Sequence, residues 1–386
     1  MVRLTNNHAS NRPPWFASPE HRNRGNKYGA ARIRHEEKSA PPTRPYPVKP
    51  PYAYMPQIDS LRALAVLGVL FQHWFESTLL GTWGVTLFFV ISGYLITRAL
   101  FTLRDAGTSL GSAAKDFFLR RTRRLFPAYY ATLVVGLFLF DDLRRDWPWH
   151  ALYASNFLLD ARRAWIALTP AWSLAVEEQF YLVWFFVIMW IPRHRLGVLL
   201  LTLMVIAPGA RYLALADGNE FGRFLLWANF DALAAGAALT LLERQGGRLR
   251  APGIVAALLF LFAVVLTQVV SQFDPVVGTV FPTAITLASA WLVWQARTGL
   301  GGLGGMVLAR AELVYLGRIS YGIYLYHMVA PAICGKLPLL WRFAAGPSIP
   351  GFVVHVAMTV AIAAVSYRWF EAPLRYGGAA RGARVT

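Results

Sequence analysis

Residues 61–80 read LRALAVLGVLFQHWFESTLL and carry only three ionisable side chains, Arg62, His73 and Glu76, in an otherwise apolar run. A helix of about 20 residues crosses the hydrocarbon core of a bilayer, so this stretch has the length of a span. A soluble helix would set an apolar stripe against a polar face, whereas here apolar residues run all the way round. Working outward, nine further stretches have the same character: 83–103, 124–141, 172–191, 196–214, 224–242, 252–271, 276–296, 319–337 and 351–370. Lipid offers the backbone no hydrogen bonds, so spans of this kind fold as helices. The expected fold is an all-α polytopic membrane protein with about ten transmembrane helices. Composition agrees, since 56% of the 386 residues are apolar and 15% are charged, against a usual charged share of about 25%.

The cations orient the bundle. The formal charge is +18, and 29 Lys and Arg fall on the side of the N-terminus against 8 on the other. The positive-inside rule then makes both termini cytoplasmic. Arginines clustered between apolar spans are accounted for by loops facing anionic lipid, and there is no zinc-finger or recognition-helix pattern, so no nucleic-acid partner is expected. Residues 1–53 are rich in Pro, Arg, Asn and His and read as a disordered basic cytoplasmic tail. The tail lacks the apolar core of a signal peptide. The membrane domain is expected over 54–375, followed by a short tail at 376–386. A single cysteine, Cys334, excludes an intramolecular disulfide and a thiolate metal cluster. No His pair at metal-ligand spacing and no GxSxG elbow occurs, so neither a metal site nor a serine hydrolase is expected.

Ionisable groups inside spans are costly and mark function by default. Arg62 and His73 are 11 residues apart, which returns them to one helix face about 16 Å apart in height. In WSLAVEEQFY (Trp172–Tyr181), Glu177 sits at a depth matching His73. A carboxylate beside an imidazole would fix its tautomer and stabilise the imidazolium, as a general base requires. The plainer reading of Glu177 and Glu178 is acidic charge near a helix N-terminus. GVTLFFVISGYLIT (Gly84–Thr97) offers Ser92 and Gly93 for close helix approach, with Ser92 deep enough to line the same cavity. RRTRRLFPAYY (Arg120–Tyr130) opens the third span with Arg120, Arg121, Arg123 and Arg124 within two turns, a phosphate site if the guanidinium groups and the positive helix end converge. In SYGIYLYH (Ser320–His327), Tyr324 and His327 share a face, for core packing or for lining a substrate. Asp231, within FDALAAGA, is placed to pair with a facing arginine or to orient a polar ligand.

Together with FEAPLR (Phe370–Arg375), these segments resemble, in their order, the acyltransferase 3 family of multispan membrane O-acyltransferases, over roughly residues 54–375. The resemblance implies transfer of an acyl group, acetyl being the commonest, from acyl-CoA to a hydroxyl of a surface glycan, glycolipid or similar acceptor, with no metal. It also implies residence in the bacterial cytoplasmic membrane. By the same resemblance His73 is the essential histidine, Arg62 its motif partner, Arg120 to Arg124 the acyl-CoA phosphate site, and Glu177 the motif glutamate. Ser92 or Tyr324 would serve the developing oxyanion and His327 would line the substrate. Direct attack and an acyl-histidine relay both stay open, as do the acceptor and the oligomeric state. Some members add a C-terminal esterase-like domain. None is expected after Arg375, which leaves the acceptor to the membrane domain or a partner. The competing class is a transporter or flippase in which Arg62, His73 and Asp231 form a charge path.

Overall fold

The computed structural model describes residues 54–75, 78–249, 253–336 and 348–376. The expected basic tail at 1–53, Glu76, the segment with Arg342, and the tail after Tyr376 lie outside the described residues. Among the described residues there is no strand. The longer helices are α1 (Pro56–Phe75), α2 (Thr78–Asp105), α3 (Leu110–Leu139), α6 (Ala171–Trp190), α7 (Arg193–Ala216), α8 (Phe230–Arg244), α9 (Gly253–Val269), α10 (Val277–Ala296) and α15 (Ile349–Ser366). Shorter ones are α4 (Asp141–Ala151), α5 (Ser155–Arg162), α11 (Gly302–Leu308), α12 (Ala311–Arg318), α13 (Ser320–Tyr326), α14 (Val329–Lys336) and α16 (Ala372–Tyr376).

Every expected span contains helix, but only five helices among the described residues are long and apolar enough to cross a membrane: Leu79–Asp105, Ala171–Trp190, Arg193–Ala216, Val277–Ala296 and Ile349–Leu374. The others depart for visible reasons. Asp59, Arg62 and His73 interrupt the apolar run of the unbroken helix α1, and α3 carries the arginine cluster. The segment expected at 224–242 begins in two short 3₁₀ turns, Glu220–Phe224 and Leu226–Asn229, before α8. The segment expected at 319–337 breaks at His327 and Met328 into α13 and α14.

The core forms where α2 crosses α8. A Cβ on Gly93 would lie 2.0 Å from the Leu233 carbonyl oxygen, and one on Gly236 would lie 2.0 Å from that of Val90. The two glycines therefore bring the backbones together reciprocally, with Ala232, Ala234, Ala235 and Ala237 buried alongside. Lipid supplies no hydrophobic drive between helices, so close van der Waals packing of small residues holds such a pair. Polar contacts pin α1 at both ends. Gln57 exchanges hydrogen bonds with the Leu300 backbone and Ser60 donates to Leu308 O, while Trp74 Nε1 donates to Ser348 O. Asp231 meets Arg211 in a buried bidentate pair at 3.0 and 2.6 Å. Arg211 also donates to Ala228 O and Thr283 Oγ1. Of the two expectations for Asp231, pairing with an arginine is the one observed. The contact ties α7, α8 and α10, and it keeps the two charges paired away from water, though Arg211 Nε has no hydrogen-bond partner.

Candidate functional site

A cavity of about 90 Å³ opens between α1, α2, α3, α6 and α13. Helical periodicity selects its lining. On α6, Ser173, Glu177 and Tyr181 follow at steps of four and share one face; on α3, Arg121 and Arg124 are three apart; on α2, Val85, Phe88, Ser92 and Leu95 keep the same rhythm. Arg62 from α1 and Tyr324 from α13 complete the wall.

The arginine cluster divides. Arg121 and Arg124 face the cavity, whereas Arg120 is 66% exposed and pairs with Asp116 at 4.0 Å, and Arg123 is exposed. The expected help from a helix N-terminus is absent. α3 begins at Leu110, so the arginines lie in mid-helix, where neighbouring turns already use the backbone N–H groups. Arg121 instead lays its guanidinium over the Tyr181 ring, 3.6 Å from the centroid.

Tyr181 also donates to Glu177 Oε2 at 2.6 Å, with its hydroxyl 3.1 Å from Ser92 Oγ, while Ser92 Oγ donates to Glu177 Oε1 at 2.7 Å. Both carboxylate oxygens are thus engaged, and the expected contact of Glu177 with His73 is replaced by this Ser92–Glu177–Tyr181 triangle. The match in depth expected from residue counts does not hold, since Glu177 shares its cavity with Arg62, at the other end of α1 from His73. Ser92 and Gly93 split the two roles expected of them: Gly93 packs against α8 and Ser92 lines the cavity.

His73 lies at the far end of α1 from Arg62. Its ring, exposed on one side, stacks on His327 with centroids 5.0 Å apart. His327 is 1% exposed, and its Nδ1 lies 2.6 Å from the Tyr324 carbonyl oxygen. A carbonyl only accepts, so Nδ1 carries the proton and Nε2 is left as an acceptor with no hydrogen-bond partner. The Tyr324 ring is 5.5 Å from that of His327, and its hydroxyl contacts Ser173 Oγ at 2.6 Å and Pro170 O at 3.1 Å. A chain of rings, Tyr324 to His327 to His73, therefore leads from the cavity wall to the exposed imidazole.

Ser173, Tyr181 and the pairing of His327 with His73 were not foreseen. The first two were legible as the four-residue repeat through Glu177. The third depends on how α13 meets α1. No group of three or more His, Cys, Asp or Glu side chains able to hold a metal occurs among the described residues.

The chain matches a family model described as acyltransferase domain over residues 55–368. It is similar to peptidoglycan O-acetyltransferase OatA of Listeria monocytogenes, 30% identical over 368 residues that cover 84% of this chain and 56% of that protein. A Bacillus subtilis protein, provisionally named peptidoglycan O-acetyltransferase YrhL, is 31% identical, with 85% and 56% covered. The chain thus spans little more than half the length of these curated relatives. No solved structure matches it. With the family match running through five helices able to cross a bilayer, the chain is a multi-pass membrane protein and belongs to this acyltransferase domain family.

Proposed function

We propose that this chain is an O-acyltransferase of the bacterial cytoplasmic membrane, with about ten spans and both termini cytoplasmic, moving an acetyl group from acetyl-CoA to a glycan hydroxyl. The observation that carries the reading is the cavity in which Arg62, Arg121 and Arg124 share one space with Ser92, Glu177 and Tyr324. A cationic lining suits the phosphates of a nucleotide thioester, because guanidinium groups match phosphate oxygens in charge and geometry. The excess of cations on the N-terminal side of the spans favours donor entry from the cytoplasm.

In this reading the thioester arm extends from the arginines toward Tyr324, and the acceptor arrives from the His73 side. His73 takes the hydroxyl proton as the oxygen attacks the thioester carbon, the C–S bond breaks, and the proton passes to the departing CoA thiolate. His327 stands beside His73 in the supporting place first assigned to Glu177. Tyr324, turning from Pro170 O, or Ser92, turning from Glu177, donates to the developing oxyanion. Glu177 holds Ser92 and Tyr181, and through Tyr181 keeps Arg121 turned to the cavity.

The test uses purified protein in detergent with acetyl-CoA and chitotetraose. Wild-type protein releases CoA thiol and yields acetylated glycan, whereas His73→Ala loses at least a hundredfold in rate and inserts normally. Equal rates in the two proteins would overturn the assignment of His73. Thiol release by neither removes the enzyme reading, and a carrier, which needs a closed vesicle to show activity, becomes the better account.

A further inference from the structure

A second, small cavity, of about 30 Å³, adjoins the first and shares Leu174 and Tyr324 with it. His150, the penultimate residue of the connecting helix α4, forms part of its wall. This imidazole is 0% exposed, and neither ring nitrogen has a hydrogen-bond partner. Buried polar atoms are ordinarily paired, so an imidazole with both nitrogens unpaired against a cavity marks a place where a polar ligand fits.

The remaining polar side chains of the wall are engaged. Tyr129 donates to His150 O, Thr132 to Ala128 O, and Tyr324 to Pro170 O. The first of these bonds and that from Tyr130 to Ala151 O hold the end of α4 over the cavity. Asp146, one turn earlier, is taken by Arg162. His150 is therefore the group of this wall with hydrogen bonds to give, and no charged side chain lines the cavity to compensate an anion. A neutral imidazole presents one N–H donor and one acceptor, which is the complement of a hydroxyl group.

We propose that this second cavity receives a neighbouring hydroxyl of the acceptor glycan, with His150 holding that oxygen beside Tyr324 while the hydroxyl that is acylated lies toward His73, which lines neither cavity. The inference rests on the acyltransferase reading and assigns the acceptor's place within it. His150 touches substrate there but takes no proton in the reaction; it binds and orients. Donor and acceptor then occupy two cavities with a common wall, and Tyr324 stands in that wall.

The kinetic parameters of His150→Phe, His150→Gln and Thr132→Leu, measured with acetyl-CoA and chitotetraose, test the assignment. Phe removes both hydrogen bonds, Gln restores an amide donor and acceptor, and Leu at 132 narrows the cavity while leaving His150 unchanged in sequence. Expected are a KM for chitotetraose raised at least tenfold in His150→Phe and Thr132→Leu, a KM for acetyl-CoA within twofold of wild type, and recovery to within threefold in His150→Gln. An unchanged acceptor KM in either of the first two variants overturns the inference. So does equal loss of donor and acceptor binding, or failure of Gln to recover any of the loss, since a merely structural histidine would give that pattern. A wild-type protein that consumes no acetyl-CoA instead strikes the acyltransferase reading, and the inference falls with it.

Discussion

Arg121 and Arg124 should each carry a share of donor binding that Arg120 and Arg123 do not, although all four lie within five residues. The inner pair lines the cavity, and Arg121 is held there by the Tyr181 ring at 3.6 Å. In such a partly dry site, losing one charge-assisted hydrogen bond to a phosphate costs about 1.5–3 kcal/mol, or roughly tenfold to a hundredfold in affinity. Arg120, 66% exposed and 4.0 Å from Asp116, sits where water and salt screen its charge. Its loss should cost less than about 0.5 kcal/mol, about twofold. The assay is thiol release as a function of acetyl-CoA concentration for the four single Arg→Ala variants and for Arg121→Lys. Lysine keeps the charge but loses the planar fork and the stacking, so an intermediate KM is expected. A tenfold rise in KM for Arg120→Ala or Arg123→Ala, or less than twofold for both Arg121→Ala and Arg124→Ala, would refute the division.

Glu177→Gln keeps size but replaces one accepting oxygen by an amide that can only donate, leaving either Ser92 or Tyr181 facing a donor. A loss of about 2 kcal/mol is expected, seen as roughly thirtyfold in kcat, and Ser92→Ala in the same background should add little more. Gly93→Ala drives a methyl into the Leu233 carbonyl and forces α2 from α8. A cost of about 3 kcal/mol should lower the thermal midpoint in detergent, and an unchanged midpoint would show that the crossing is looser than described. Burial pushes the His150 imidazole down to about 4, with Asp146 opposing in part. A depressed histidine stabilises the fold fully above about pH 6.5, and the contribution is lost as pH falls toward 4, in all about 3 kcal/mol. The midpoint should fall across that window in wild type and stay flatter in His150→Phe.

The sequence was readable wherever one helix decided the outcome. The Arg62–His73 spacing does place both on α1, and the four-residue step from Ser173 through Glu177 to Tyr181 does form a face. Expectations failed where two helices had to be brought into register. Residue counts set Glu177 level with His73, but α1 and α2 run antiparallel with Ala65 against Gly84, so Ser92 and the Glu177 it holds lie toward the Arg62 end of α1 and share its cavity, and each of the two residues finds other partners. The arginine cluster misled differently. Its apolar continuation suggested a helix beginning near Arg120, but α3 begins a full ten residues earlier with the half-polar segment LGSAAKDFFL, capped by Ser109. Once the helix is continuous through the cluster, 100° per residue turns Arg120 and Arg123 away from the cavity. His150 could not have been singled out at all, since it lies in a short connecting helix whose meaning comes from the wall it covers.

Tyr324 is the residue on which the two halves of the proposed site depend, and its position explains why the helix around it is broken. A straight α13–α14 helix would use the Tyr324 carbonyl within its own ladder, accepting from the residue four positions on. Interruption at His327 and Met328 leaves that carbonyl free to take the Nδ1 proton of His327. The break therefore fixes the imidazole's tautomer, and at the same time it sets the phenol between two cavities with its hydroxyl held by Ser173 and Pro170. A regular span would have satisfied the bilayer better. Backbone irregularity at this depth is tolerated where protein or a cavity surrounds it, and here the freed carbonyl is spent on orienting the histidine that backs His73.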